Sequence, residues 1–258
     1  ILTAAILGAG PIADAFFVAL KLPNMFRRIT AEGAFNVSFV PLYSEALEQG
    51  GEEEAKRFAG RALSIMLWVL SGFTLLMMLT MPFVIYAIAP GFHDDALRYD
   101  TAVELSRITF PYLLLMSVTT LFGGVLNAHE RFAPFAAAPI LFNLSLIVAL
   151  LCFMPMAETA GHAMAWGVFV AGFLQLALLF VCARRAGIRL KLVRPKLDDR
   201  TKRLFKLMGP GVIGAGVIQI NLFADLIIAS FLQQGSISYL YYADRLNQLP
   251  LGIVGIAV

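Results

Sequence analysis

The chain has 258 residues, 59% of them hydrophobic and only 14% charged, with a mean hydropathy of +0.79. A soluble domain carries about 25% charged and roughly 45–50% apolar residues, so this apolar excess is too large for one core and marks an integral membrane protein. The 20 Lys and Arg exceed the 17 Asp and Glu by a net charge of +3 and form no basic domain, so no nucleic-acid partner is expected.

A hydrocarbon core of ~30 Å requires about 20 apolar residues in a helix. The chain opens inside an apolar segment, Ile1 to Leu7, without the basic stretch of a signal peptide, and reads as a fragment of a longer protein. Residues 12–47 are apolar in composition yet carry Asp14, Lys21, Arg27, Arg28, Glu32 and Glu45. One helix over that stretch would reach ~54 Å, so a break is expected at Pro23 or Gly33, giving a membrane helix from Ile12 to Ile29 and a short amphipathic stretch from Ala34 to Leu47. Uncharged runs then follow at Ala62 to Ala89, Ile108 to Ala128, Phe132 to Ala157 and Ala163 to Ala183. Leu207 to Leu232 is interrupted by Asp225, and Ser236 to Val258 by Asp244 and Arg245. The predicted fold is an all-α polytopic membrane helix bundle of about eight spans, the first and last incomplete.

The connections fix the orientation. Residues 48–61, 129–131 and 184–206 hold fourteen Lys or Arg, ten of them in the last, whereas 90–107, 158–162 and 233–235 hold only Arg98 and Arg107. The first set therefore faces the cytoplasm, with the basic stretch 184–206 lying on anionic headgroups. Gly209 to Gly214 match a dinucleotide fingerprint, but they open a membrane span and read instead as small residues that admit a neighbouring helix. Cys152 and Cys182 sit within apolar runs, and His93, His129 and His162 are more than 30 residues apart at the ends of such runs. No metal and no cofactor are expected from that spacing.

Lys21, Arg27, Arg28 and Arg245 remain inside the spans, where a charge costs ~2.5–3.5 kcal/mol on insertion scales and so marks function. At about 100° per residue Asp14, Lys21 and Arg28 share one helical face. Together with Arg27 and Asn24 they suggest a water-filled cavity. Gly211, Gly214, Asn221 and Asp225 form a second stripe, small at one end and polar at the other. Asp225 has no basic residue within four positions, so it has a distant partner, is protonated, holds a cation, or makes a structural hydrogen bond. Arg245 has Tyr241, Tyr242 and Gln248 on its side of the helix, while Asp244 points about 100° away. An arginine so supported suits phosphate or carboxylate oxygens, and two spans presenting arginines to the interior point to an anionic ligand such as a pyrophosphate. No nucleophile and base stand at catalytic spacing, so enzymatic chemistry is not expected.

Asp14-Ala15-Phe16-Phe17, Lys21-Leu22-Pro23-Asn24, Arg27-Arg28, Ala31-Glu32-Gly33-Ala34-Phe35, Ala89-Pro90-Gly91-Phe92, Met208-Gly209-Pro210 and Tyr241-Tyr242-Ala243-Asp244-Arg245 occur in that order. In these blocks the chain resembles the MurJ (MviN) lipid II flippases. The resemblance implies the first half of a two-lobed, fourteen-helix transporter: residues 1–232 as the N-terminal lobe and 233–258 as the start of the second. It implies transport of lipid-linked peptidoglycan precursor to the outer leaflet of the bacterial cytoplasmic membrane by alternating access, with lipid II, membrane lipids and cell-wall synthesis proteins as partners. Arg27, Arg28, Arg245 and Asn24 would bind the substrate. Asp14, Asp225 and Asp244 would serve conformational or ion coupling, with sodium or a proton as coupling cation. The competing readings are a polysaccharide-lipid or drug exporter of the same superfamily and a structural subunit of a cell-wall complex.

Overall fold

A computed structural model describes residues 2–195 and 197–257; Ile1, Lys196 and Val258, which fall in the segments above, lie outside the described residues. The described residues contain helices and connections and no strand. The helices are α1 (Leu2–Leu7), α2 (Pro11–Arg27), α3 (Asn36–Leu79), α4 (Met81–Ile88), α5 (Ala96–Thr109), α6 (Tyr112–Ala128), α7 (Ala133–Val148), α8 (Ala160–Arg185), α9 (Asp199–Ser230) and α10 (Ser236–Ala257). Among the described residues five helical runs are long and apolar enough to cross a membrane: Pro11–Leu79, Ala96–Ala128, Ala133–Met156, Ala160–Arg185 and Asp199–Ser230. Large apolar side chains such as Trp68, Phe83 and Ile140 project from the bundle, as lipid-facing residues do.

The expected break at Pro23 or Gly33 is not there. Pro23 lies inside α2, and the chain stays helical through a π-helical segment, Arg28–Phe35, into α3. Proline lacks the N–H that would bond the carbonyl of Ala19, four residues earlier. The Thr109 hydroxyl of α5 donates to that carbonyl at 2.9 Å, so α2 continues without an unpaired group. Gly33 serves close packing instead: a Cβ there would lie 2.7 Å from the Arg28 carbonyl and 3.2 Å from Ala215 Cβ of α9.

The chain turns at Gly51. Its φ of 72° and ψ of −175° interrupt α3, and the rings of Phe39 and Phe58 stack at 5.5 Å. Nineteen residues of straight helix would hold those rings ~28 Å apart, so the two halves of α3 fold back on each other. That region of φ/ψ is essentially restricted to glycine. Gly51→Ala is expected to destabilise the detergent-solubilised protein by about 1–3 kcal/mol. Gly72→Ala, in the same helix, is the control, because nothing lies within 4 Å of its added Cβ; equal thermal midpoints for the two variants would contradict this account.

Two further boundaries differ from expectation. The run from Ala62 to Ala89 bends at Thr80 (φ −91°, ψ 8°) into α4. The presumed outer connection 90–107 contains most of α5, which is started by Asp95 accepting from the Arg98 amide at 3.2 Å. Split at the turn in α3, the first of the five apolar runs becomes two helical legs.

Positions 184–206 are only partly a loop. Asp198 caps α9 by accepting from the Thr201 amide at 3.0 Å, so Arg200, Lys202, Arg203 and Lys206 are helical. Burial by itself would raise the Asp198 carboxyl, but its hydrogen bonds from Thr201 and the adjacent Arg61 guanidinium outweigh this and hold it below the ordinary aspartate value. Several of the basic residues meet carboxylates rather than headgroups. Arg203 donates to both Glu45 oxygens at 3.0 and 3.1 Å, and Arg200 pairs with Glu54. The preceding strand of chain lies against α3, where the Val193 amide donates to Ser64 Oγ at 3.2 Å.

Two apolar clusters organise the core. One centres on α2, whose Ala13 to Leu20 are buried among residues of α5, α6 and α8, and the other joins α3, α6 and α8 around Phe39, Tyr43, Phe58 and Leu121. The position of α2 in the middle of the bundle is what carries Asp14 into the interior.

Candidate functional site

Asp14 is fully buried, on the first turn of α2. One carboxylate oxygen accepts from the Gly235 amide at 2.7 Å and from Arg98 Nη2 at 3.1 Å; the other accepts from the Ser238 amide at 2.9 Å and Ser238 Oγ at 2.6 Å. Gly235 and Ser238 flank the start of α10, so Asp14 supplies from another helix the cap that α10 lacks in its own sequence. The N-terminal partial charge of α10 adds to the attraction. Arg98 is itself buried and lies over the Phe92 ring, 4.1 Å from its centroid. Three separate elements, α2, α5 and the start of α10, are thus tied at one carboxylate on the outer side of the bundle.

The cations lie deeper along α2. Asn24 Nδ2 donates to the Leu20 carbonyl at 2.9 Å, and its Oδ1 accepts from Arg27 Nε at 3.2 Å, which fixes the Arg27 side chain beside it. Arg28 is exposed, at the start of the π-helical segment. Lys21 lies within electrostatic range of both Asp225 of α9 and Asp244 of α10. The Asp225 side chain is exposed, and its stripe packs only at one end, where Gly211 approaches the Ala34 backbone so closely that a Cβ would come within 3.1 Å.

On α10, Arg245 lies 5.1 Å above the Tyr241 ring, and its Nη1 donates to Gln248 Oε1 at 3.3 Å. Gln248 Nε2 donates in turn to Asp244 Oδ2 at 2.8 Å, so one amide bridges the two neighbouring charges that cannot meet directly. Tyr241 stacks on Phe17 of α2 at 4.0 Å, which anchors this group to the centre of the bundle. Tyr242 does not support Arg245 as expected. Its hydroxyl donates to the Gly8 carbonyl at 2.8 Å and its ring meets Phe17 edge-on, because that face of α10 packs against the start of the chain.

Three participants escaped the sequence reading. Arg98 was assigned to an outer connection, although Asp95 three residues before it is a helix-start signal. Gly235 acts through its backbone amide and Ser238 through its amide and hydroxyl at a helix end, a place that the helical-face pattern around Arg245 does not reach.

Fold and buried polar groups together define a multi-pass helical membrane protein whose charged residues are gathered on one central helix and its two neighbours. Comparison with known proteins makes this specific. The family model for the lipid II flippase MurJ matches residues 3–258, and the chain belongs to that family. It is 45% identical over 259 residues to the protein of Rhizobium meliloti named "Probable lipid II flippase MurJ", covering 99% of this chain and 48% of that one. Against the "Lipid II flippase MurJ" of Burkholderia cenocepacia the identity is 34%, covering 97% of this chain and 49% of that one. A solved structure titled "Lipid II flippase MurJ, inward closed conformation" superposes with a TM-score of 0.81 at 26% identity, covering 98% of this chain and 51% of that chain. The chain spans about half the length of the curated relatives it matches.

Proposed function

We propose that this chain is the first half of a transporter that moves lipid II from the cytoplasmic to the outer leaflet of the bacterial cytoplasmic membrane by alternating access. Residues 1–232 form its N-terminal lobe and α10 opens the second. The observation that carries the reading is the division of labour along α2: Asp14 closes the outer end, and Lys21, Asn24, Arg27 and Arg28 line the same helix towards the cytoplasm. At ~1.5 Å per residue the Arg27 backbone lies ~20 Å below that of Asp14. With the outer end shut, a pyrophosphate entering from the cytoplasmic side meets Arg27 and Arg28 on α2 and Arg245 on α10, while the polyprenyl chain stays in lipid. Guanidinium forks suit such oxygens because they donate two parallel hydrogen bonds and are themselves weakly hydrated, so little is lost when they leave water. The protein acts as a carrier rather than an enzyme. Asp225 and Asp244, beside Lys21, are the groups on which a sodium ion or a proton would act, by competing with the lysine for the same carboxylates.

The test is leaflet accessibility of labelled lipid II in cells that depend on the full-length protein. Each charge-assisted hydrogen bond is worth ~1.5–3 kcal/mol, so Arg27→Ala and Arg245→Ala are each expected to lower translocation at least about tenfold, and the double variant to abolish it. Normal translocation by the double variant at wild-type abundance would refute the proposal.

A further inference from the structure

Glu104 of α5 and Glu158 and His162 at the start of α8 bring their ligand-forming atoms within 4.8 Å of one another. His162 Nε2 lies 3.4 Å from Glu104 Oε2 and 3.8 Å from Glu158 Oε2, and neither carboxylate has another partner among the described residues. Those separations are long for hydrogen bonds, which fall near 2.7–3.2 Å. With metal–ligand bonds of about 2.0–2.2 Å, neighbouring ligand atoms stand roughly 3.3–3.6 Å apart, so the first separation already matches a coordination tetrahedron and the exposed Glu158 has only to move a few tenths of an ångström.

The second ring nitrogen sets the chemistry of the first. Thr159 Oγ1, the cap of α8, lies 2.9 Å from His162 Nδ1 and also accepts from the His162 amide at 3.3 Å. In the tautomer with Nδ1–H donating to that oxygen, Nε2 presents a lone pair towards the two carboxylates, and a cation between them satisfies all three. A polar group on the far ring nitrogen is the usual companion of a metal-bound histidine, because it sets the tautomer and aims the ring. The cluster stands at the mouth of an open groove of about 680 Å³ whose walls are otherwise mainly apolar, among them Leu144, Val148, Trp166 and Val170. That leaves space for the water or further ligand that completes the shell.

We infer that Glu104, Glu158 and His162 form a binding site for a divalent transition cation of the zinc class, on the outer side of the bundle and apart from the Asp14 network. One imidazole with two carboxylates selects zinc-like ions over magnesium or calcium, which take all-oxygen shells. The bound ion ties the outer end of α8 to α5, the helix that carries Arg98.

The experiment uses the full-length protein in detergent, stripped with a chelator and titrated with Zn²⁺, with Co²⁺ as an absorbing substitute and Mg²⁺ as a counter-probe. One equivalent of Zn²⁺ per chain, a tetrahedral Co²⁺ spectrum bleached by Zn²⁺, and a Zn²⁺-dependent rise in thermal midpoint are expected. His162→Ala should abolish all three, and Glu104→Gln and Glu158→Gln should each weaken binding at least about tenfold. Metal-free thermal midpoints of the variants show that they fold. Absence of stoichiometric binding by the wild type, undiminished binding by His162→Ala, or displacement of Zn²⁺ by equimolar Mg²⁺ would overturn the assignment.

Discussion

Asp14→Asn in the full-length protein is expected to release the start of α10 from α2 and to cost about 3–5 kcal/mol, the usual result of removing one partner from a buried ion pair. The cost is high because every acceptor position of the carboxylate is in use, by Gly235, Arg98 and twice by Ser238. An asparagine keeps one acceptor oxygen, while its amide nitrogen turns hydrogens towards groups that are themselves donors. It also leaves the buried Arg98 guanidinium without a counter-charge. Ile237, buried behind this junction, reports the outcome. A cysteine placed there should be shielded from an impermeant maleimide in the parent and labelled from the outside in Asp14→Asn, with a rate rise of at least about tenfold given ~1.4 kcal/mol per factor of ten. A paired change separates closure from stability. Replacing a buried ion pair by apolar groups of similar volume is often close to neutral, so Asp14→Leu with Arg98→Met should regain much of the thermal stability yet remain open to the label. Unchanged labelling of Asp14→Asn would show that α10 is held by other contacts.

Gly91→Ala should be strongly destabilising. Gly91 belongs to the turn before α5, and its amide donates to Ser230 Oγ at 3.1 Å at the end of α9. A Cβ at Gly91 would sit 2.3 Å from the Ser230 carbonyl oxygen and 2.6 Å from the Phe231 nitrogen. Both are backbone atoms at a helix terminus, so neither can rotate away as a side chain would. The turn must lift off α9, moving Phe92 away from the Arg98 guanidinium that it supports. Overpacking of this kind costs roughly 1–3 kcal/mol and more where backbone must yield. Gly72→Ala is the matched control, since nothing lies within 4 Å of the added carbon. A fall in thermal midpoint confined to Gly91→Ala supports the packing account; equal midpoints would refute it.

The membrane class, the helical fold and the family were legible in the chain because they rest on local quantities, namely hydropathy over about 20 residues and short contiguous motifs. The errors arose wherever a remote residue decided a local question. Pro23 reads as a helix break until Thr109 supplies the missing donor, whereas the reversal lies at Gly51, where the backbone conformation itself demands glycine. The α5 segment reads as a hydrated connection because it carries Arg98, Asp100, Glu104 and Arg107; the first of these is neutralised by a carboxylate 84 positions earlier. The distant partner that the sequence allowed for Asp225 could not be named for the same reason, since Lys21, which feels its charge, lies at the other end of the lobe's sequence. The arginine of α10 was read more fully: Tyr241 and Gln248 do flank Arg245, but the pattern could not tell that Tyr242 is drawn to Gly8.

The hydroxyl of Thr109 on the Ala19 carbonyl has a mechanical meaning as well. A proline in mid-helix is ordinarily a hinge, because the missing bond lets the two halves bend. Here the hinge is splinted by α5, and the Arg98 to Asp14 contact fastens the same two helices nearer their outer ends. With two rivets along their length, α2 and α5 form a single stiff beam. Any tilt that swings the cations of α2 between the two sides of the membrane must therefore carry α5 along with it, and the compliance that a rocking lobe needs has to come from elsewhere in the bundle.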